Sequence, residues 1–435
     1  MTGIIAIFAD ILINKMTYEE QIERLYNRFP SYQVVGNRAY KPGIETIREF
    51  DEALGHPHRK FRTIHVAGTN GKGSVCHLLA SALAHTELKT GLYSSPHLVD
   101  FRERIKVVEA NGFRMISRDE VSSFLSEWDP FFDTHDPSFF EITTAMAFDF
   151  FARENVDIAV IETGLGGRLD STNIITPILS IITNIGLEHC AYLGYTLEEI
   201  AFEKGGIIKP GVPVVIGSED EHTATVFKRL ASERKSPIYH ASKYDMSTAR
   251  ITADDLDLRG DYQQENLRTV LCALTRLEAL TPQAEEGLKS AAATTGLRGR
   301  WETIDLGEGQ PRLICDIGHN PHGLRWVFSQ LKAIDAQRVF IIFGMVADKD
   351  LESVAKFMPK SGKHFRYIFT QASTNRAITA KELADRLRPF GIWGKAVPGV
   401  KKALESALEK ADSNDLIFVG GSNFTVADAL EALEN

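Results

Sequence analysis

The chain has 435 residues, 43% hydrophobic and 25% charged, with 49 basic against 58 acidic side chains and a formal charge of −9. That composition excludes a disordered or fibrous chain, and the acidic balance without a lysine or arginine block argues against a nucleic-acid partner. The length predicts two or three domains, and four cysteines without C-x-x-C spacing predict reduced thiols in a cytoplasmic protein.

The apolar run Gly3–Ile13 is broken by Asp10, lacks a leading positive charge and is too short to cross a bilayer, so no membrane association is expected. An amphipathic pattern beginning at Met16 makes Met16 a candidate natural start and residues 1–15 a candidate non-native extension. Helices are predicted over Tyr18–Arg28 and Ile44–Leu54, and a buried strand over Phe61–Val66. Next comes Gly68-Thr69-Asn70-Gly71-Lys72-Gly73-Ser74, followed by a helical Val75–His85. Strand, glycine-rich turn and helix aim backbone N–H groups and a helix N-terminus at phosphates. Lys72 supplies a point charge and Ser74 a hydroxyl near Mg²⁺. Two residues, not four, separate the first glycine from the Gly-Lys pair, which argues against an ordinary GTPase or kinase. A glycine run that merely lets the chain bend is the competing reading.

Further strands are predicted at Thr90–Ser94, Asp157–Ile161, Ile178–Thr183 and Val214–Ile216, with a hairpin of Arg104–Val108 and Phe113–Ile116 around Ala110-Asn111-Gly112. Helices fit Arg118–Trp128, Thr143–Arg153, Thr196–Glu203 and Gln264–Leu280. Continuous Val/Ile runs suit strands buried on both faces, and their alternation with helices predicts a P-loop-type, doubly wound, mostly parallel α/β sheet. Polar and glycine residues at Thr294–Gly299 interrupt the pattern. Beyond them, strands Leu313–Ile317, Val339–Phe343, Tyr367–Thr370 and Leu416–Val419 alternate with helices starting at His322, Leu351, Ala380, Val400 and Val426. This second series predicts a smaller, Rossmann-like α/β domain, giving domains 16–297 and 298–435 with ligands in the cleft between them.

Three more clusters follow strands. Glu162 ends one and precedes Thr163-Gly164-Leu165-Gly166-Gly167-Arg168-Leu169-Asp170, a position suited to Mg²⁺ near a phosphate loop, although a strand-end glutamate can be plain surface. Glu188 and His189 follow Thr183, where a solvated charge and a structural histidine are the bland alternatives. Lys204 opens Lys204-Gly205-Gly206-Ile207-Ile208-Lys209, and a lysine at a helix end favours the dipole without any function.

Nine segments in order carry a resemblance: G-T-N-G-K-G-S, Y-S-S-P-H-L, E-T-G-L-G-G-R-L-D, G-L-E-H, E-K-G-G-I-I-K, G-R-W-E, D-I-G-H-N-P-H, D-K-D and G-S-N-F-T-V. The chain resembles the dihydrofolate synthase/folylpolyglutamate synthase branch of the Mur ligase superfamily from about Met16 to Asn435. The resemblance implies an ATP-dependent ligase that adds L-glutamate to dihydropteroate and to the γ-carboxylate of folates through an acyl phosphate. It implies that Thr69, Asn70, Gly71, Lys72, Gly73 and Ser74 cradle the ATP phosphates, while Asn266, Arg300 and Asp316 contact ATP from the far side. Ser95, Glu162 and His189 would serve two Mg²⁺ sites, joined by Lys204 as a CO₂-derived carbamate; Lys72, His189 and Lys204 are the expected catalytic set. Phe139, Phe140, Glu141, Leu169, Asp170 and Ser171 match pterin-pocket positions, and the loop Pro30–Gly36 stands where the family also meets the pterin. Paired phenylalanines are equally often plain core. His319 and Ser422 are candidates for the glutamate end. Two departures remove no reacting group: Ser74 where threonine also occurs, and Gly205-Gly206 for the commoner Ala-Gly, which would loosen the turn. A monomer is expected. The alternatives are a ligase acting on a UDP-muramyl substrate, disfavoured because only about 60 residues precede the loop, and a non-catalytic nucleotide-binding module.

Overall fold

The computed structural model describes residues 16–31, 41 and 43–434; residues 1–15 and most of the Pro30–Gly36 loop lie outside them. Strands run β1 Arg62–Ala67, β2 Thr90–Tyr93, β3 Ile105–Glu109, β4 Gly112–Met115, β5 Ile158–Glu162, β6 Leu179–Ile182, β7 Val214–Ile216, β8 Ile238–His240, β9 Glu302–Ile304, β10 Arg312–Asp316, β11 Val339–Phe343, β12 Phe365–Gln371, β13 Gly394–Pro398 and β14 Leu416–Gly420. They form an eight-stranded sheet of order β4-β3-β2-β5-β1-β6-β7-β8 and a six-stranded sheet of order β13-β12-β11-β14-β10-β9. Pairing is parallel except at β2–β3, β3–β4 and β9–β10. The chain passes from one sheet to the other between Thr295 and Glu302.

Continuous apolar strands follow from burial on both faces. On β5, Ile158 and Val160 join the core beneath the helix Lys72–Ala84, whereas Ala159 and Ile161 join a second core on the opposite face. On β11, Val339, Ile341 and Phe343 face one core and Phe340 and Ile342 the other. Registers Val66↔Glu162 and Ala67↔Ile182 end β1, β5 and β6 together, so the three loops that follow meet at one carboxyl edge. In the second sheet Asp316 pairs with Gly420 at the corresponding edge.

Two helices run longer than the sequence pattern suggests. Arg118–His135 continues through Pro130, and Phe139–Arg153 starts four residues earlier than Thr143. The earlier start has a local cause: the Ser138 hydroxyl accepts from Glu141 N, and the Glu141 carboxylate accepts from Ser138 N at 2.7 Å. Such a capping box satisfies N–H groups that a helix start otherwise leaves open. The edge strands β8, β9 and β13 and the helix Glu221–Glu233 escaped prediction; three-residue or exposed polar strands carry no apolar run. Among the described residues, no helix is long and apolar enough to cross a membrane.

Candidate active site

The carboxyl edges of the two sheets face a shared cavity of roughly 320 Å³. Its floor is the loop after β1. Gly68 has φ 148°, and a Cβ there would lie 1.8 Å from Thr183 Oγ1; Gly71 has φ 83° and would drive a Cβ to 2.3 Å from Asn266 Oδ1. Only glycine permits that backbone at those approaches. The loop is strapped to the segment after β6: Thr69 N donates to Asn184 O at 2.9 Å, Asn70 N to Asn184 Oδ1 at 2.9 Å, and Thr183 Oγ1 to Asn70 O at 2.6 Å. The helix Lys72–Ala84 then opens with no side-chain cap, which leaves its N-terminus to an anion. Lys72 Nζ folds back onto Gly68 O and Thr69 O at 3.1 and 3.3 Å.

Glu162 ends β5 beside this loop, buried, and accepts from Ser95 N at 3.1 Å. Burial raises its pKa, opposed by Lys72, the Ser95 N–H and Arg300. A methyl group on Gly73 would sit 3.4 Å from Arg300 Nη2 and 3.8 Å from Glu162 Oε2, so Arg300 reaches across from the second domain to the same point. His189 is held neutral: burial, with Lys349, Lys204 and Lys72 nearby, pulls its pKa to about 3 against the pull of Glu188. Lys204 is buried, with Nζ 2.7 Å from Gly68 O. Burial and then the Lys72 charge lower its pKa to about 7.

The second sheet closes the cavity with Asp316, whose carboxylate accepts from Tyr262 OH at 2.6 Å, Trp301 N at 2.9 Å and Gly318 N at 2.8 Å. Direct contacts join the domains. Asn70 Oδ1 accepts from Asn320 Nδ2 at 2.9 Å, and Asn70 Nδ2 lies 3.0 Å from His322 Nδ1. Glu188 meets Lys349 at 2.9 Å and His319 at 3.3 Å. Burial alone would raise the Glu188 pKa, but the His319 hydrogen bond and the Lys349 charge hold it well below the usual range.

At the other end, Phe139 stacks on Tyr26 with centroids 5.1 Å apart, beneath the buried Arg104 guanidinium at 5.2 Å. Phe140 lies on Gly164, where a Cβ would meet its ring at 2.6 Å. Leu169 and Ser171 are on the wall with them.

The structure thus brings nearly every sequence-derived candidate to one cavity wall, with instructive exceptions. Glu141 is off the wall, occupied by its capping box. Lys204 lies behind the phosphate loop and not on the wall. Asp170 is on the wall, but its carboxylate already accepts from Gly164 N, Leu165 N, Thr172 N and Thr172 Oγ1, so it shapes the turn after Glu162. Ser422 Oγ is taken up by Thr425, 2.8 Å from its hydroxyl and 3.1 Å from its N–H. At Gly205 a Cβ would meet Leu230 Cδ1 at 2.4 Å, so Leu230 occupies the space an alanine methyl would take. The sequence reading missed Tyr26, Arg104, Tyr262, Asn320, His322 and Lys349. Asn320, His322 and Lys349 lie inside D-I-G-H-N-P-H and D-K-D, so their segments were in view although the residues were not singled out; Arg104 opened a predicted strand, and Tyr26 and Tyr262 carried no local signal.

Comparison with known proteins fits this geometry. The Mur ligase middle domain matches residues 66–271, and the Mur ligase, glutamate ligase domain matches residues 299–423. The dihydrofolate synthase/folylpolyglutamate synthase of Bacillus subtilis is 31% identical over 422 residues, covering 91% of this chain and 95% of that protein. The chain belongs to the dihydrofolate synthase/folylpolyglutamate synthase family. Its activity is that of the family, ATP-dependent ligation of glutamate in folate metabolism. FolC of E. coli in complex with DHPP and ADP superposes with a TM-score of 0.80 at 25% identity, covering 97% of this chain and 98% of that one. The bifunctional folylpolyglutamate synthase/dihydrofolate synthase of Yersinia pestis, complexed with AMPPNP and Mn ion, gives a TM-score of 0.80 at 26% identity over 97% and 99% of the two chains.

Proposed function

We propose that the cavity carries both family reactions, glutamate addition to dihydropteroate and to the γ-carboxylate of folates, with domains 16–297 and 298–435 closing over the reactants. The carrying observation is that the phosphate loop, Glu162 and the second-domain residues Arg300, Asp316 and His319 share one cavity wall with the aromatic pocket of Phe139. Thr69 to Ser74 receive the ATP phosphates, and Asn266, Arg300 and Asp316 receive the nucleoside side. The pterin ring lies against Phe139 and Phe140, with Leu169 and Ser171 on its rim. The acid substrate's carboxylate attacks the γ-phosphorus, the bond to the bridging oxygen breaks and ADP leaves; the glutamate amine, held near His319 and Lys349, then attacks the acyl carbon, and phosphate and a proton are released. Lys72 and Arg300 stabilise charge that develops on the transferred group. The interdomain contacts of Asn70 and Glu188 keep water from the acyl phosphate.

The donor set suits a divalent metal that works with phosphate oxygens. Among the described residues no group of three or more His, Cys, Asp or Glu side chains could hold a metal alone, and Mg²⁺ prefers one or two carboxylates completed by phosphates and water. Glu162, Ser95 and the neutral His189 would hold it, and when bound it supplies charge neutralisation along the phosphate chain. Lys204 also suits carbamate formation. An amine titrating near neutrality is available to add to CO₂ with loss of a proton, and the product anion would suit cations where an ammonium would repel them.

Glutamate incorporation, assayed side by side with dihydropteroate and tetrahydrofolate, tests the reading. Turnover with both acids is expected; turnover with only one restricts the enzyme to that reaction. Lys204→Ala is expected to cripple turnover while AMPPNP still binds, with partial rescue by a short-chain carboxylate.

A further inference from the structure

The turn that follows Lys204 is held from outside the cleft. Lys204 ends the helix Leu197–Lys204, and Gly205–Ile207 form a single tight turn before the chain extends at Ile208. Such a helix end leaves carbonyl oxygens without intrahelical partners. Side chains supply the donors here. One guanidinium nitrogen of Arg234, at the end of the helix Glu221–Glu233, reaches Gly205 O at 3.2 Å, Gly206 O at 3.5 Å and Ile208 O. Asn173 Nδ2 donates to Gly206 O at 3.2 Å and to Arg168 O at 3.0 Å, bridging this turn to the one after Glu162. The two turns interlock, since a Cβ on Gly206 would lie 2.3 Å from Arg168 Cα and one on Gly167 2.8 Å from Lys204 O. Arg234 is half-buried and takes no part in the cavity wall.

We propose that Arg234 is a positioning residue for the ligase, fixing the 205–208 turn so that the Lys204 side chain is held in one orientation against the phosphate loop at Gly68 O. The inference rests on the reading of Lys204 as the carbamate-bearing residue. A guanidinium suits the negative end of a helix, and its rigid plane fixes the direction of the one nitrogen that faces these carbonyls, whereas a lysine offers one mobile charge. Without Arg234 the turn keeps side-chain donors only from Asn173 at Gly206 O and Ser180 at Ile207 O, and Lys204 samples positions in which the carbamate is not collected. The phosphate loop gives up only the Lys204 contact at Gly68 O and keeps its anchors to Thr183 and Asn184, so nucleotide binding changes little.

The test uses full-length wild type, Arg234→Ala, Arg234→Lys and Arg234→Gln in ¹³C-bicarbonate, reading the carbamate ¹³C resonance per folded chain together with kcat and the AMPPNP Kd. Arg234→Ala is expected to lose the resonance and kcat by about tenfold or more, as outer partners of metal ligands typically do, while the AMPPNP Kd stays within about twofold. Arg234→Lys recovers part of both. If Arg234→Ala does not fold, Arg234→Gln is judged by the same criteria. A purely structural role lowers the melting temperature and leaves the resonance per folded chain unchanged. That outcome overturns the proposal whatever kcat does. A wild-type enzyme that is fully active without any carbamate resonance overturns the Lys204 reading itself, and this inference with it.

Discussion

The phosphate wall and the aromatic wall of the cleft are built in opposite ways. The first is backbone: Gly68 and Gly71 hold φ values of 148° and 83° so that N–H groups and a helix N-terminus point inward. The second is side chain: Tyr26 from one helix, and Phe101 and Arg104 from a single turn far along the chain, gather around Phe139. A backbone-built wall is written in consecutive residues and tolerates no Cβ at its tight points. A side-chain wall is assembled only by tertiary packing, so it is hard to read in advance and yields gradually when altered.

Four substitutions probe that contrast. Gly68→Ala comes first, because its Cβ would fall 1.8 Å from Thr183 Oγ1; AMPPNP binding should be lost and kcat/KM should drop on the order of 10³-fold. Near-normal nucleotide affinity would mean the loop is less fixed than its contacts indicate.

Lys204→Met comes next. It should lower kcat about 10²-fold, yet raise the melting temperature at pH 7 in bicarbonate-free buffer. The sign follows from linkage. With the folded pKa near 7 and the ordinary value 10.5, the unfolded chain binds more protons between those limits, so the cost of burying Lys204 is greatest below pH 7 and fades as pH rises toward 10.5. The thermal advantage of the variant should therefore shrink from pH 7 to pH 10. A difference independent of pH would show that Lys204 is not strained by burial.

Phe139→Leu tests the softer wall. It keeps apolar volume but removes the ring, so the dihydropteroate KM should rise about fivefold to tenfold with the ATP KM unchanged. An equal rise in both would place Phe139 in the common core. Glu141→Ala is the mildest. Losing the capping box should cost about 1 kcal/mol of stability, measured by urea unfolding, without moving either KM. A selective rise in the dihydropteroate KM would return Glu141 to the pterin pocket.

The contrast also explains what the sequence could and could not convey. The strands before Gly68, Thr163 and Thr183 were legible because burial on both faces makes them continuously apolar, and the residues after them inherit their place at the sheet edge. Asp316 was legible for the same reason. Arg104 and Tyr26 were not, since nothing local links position 104 to 139 or 26. Glu141 matches a pocket position, but the S-x-x-E spacing from Ser138 was an equally local signal, and the capping box it announces takes up the carboxylate. Lys204 was singled out by its motif, but its direction, behind the loop and toward Gly68 O, goes with the packing of Gly167 against Lys204 O and of Gly206 against Arg168, which pattern alone does not convey.

The central claim is that this cavity couples ATP cleavage to amide formation between a pterin acid and glutamate. Its most direct test is steady-state phosphate release with each reactant omitted in turn. The account predicts sustained release only when ATP, L-glutamate and dihydropteroate or tetrahydrofolate are present together, with one phosphate per glutamate incorporated. Sustained release from ATP alone, at the rate of the complete mixture, would contradict it.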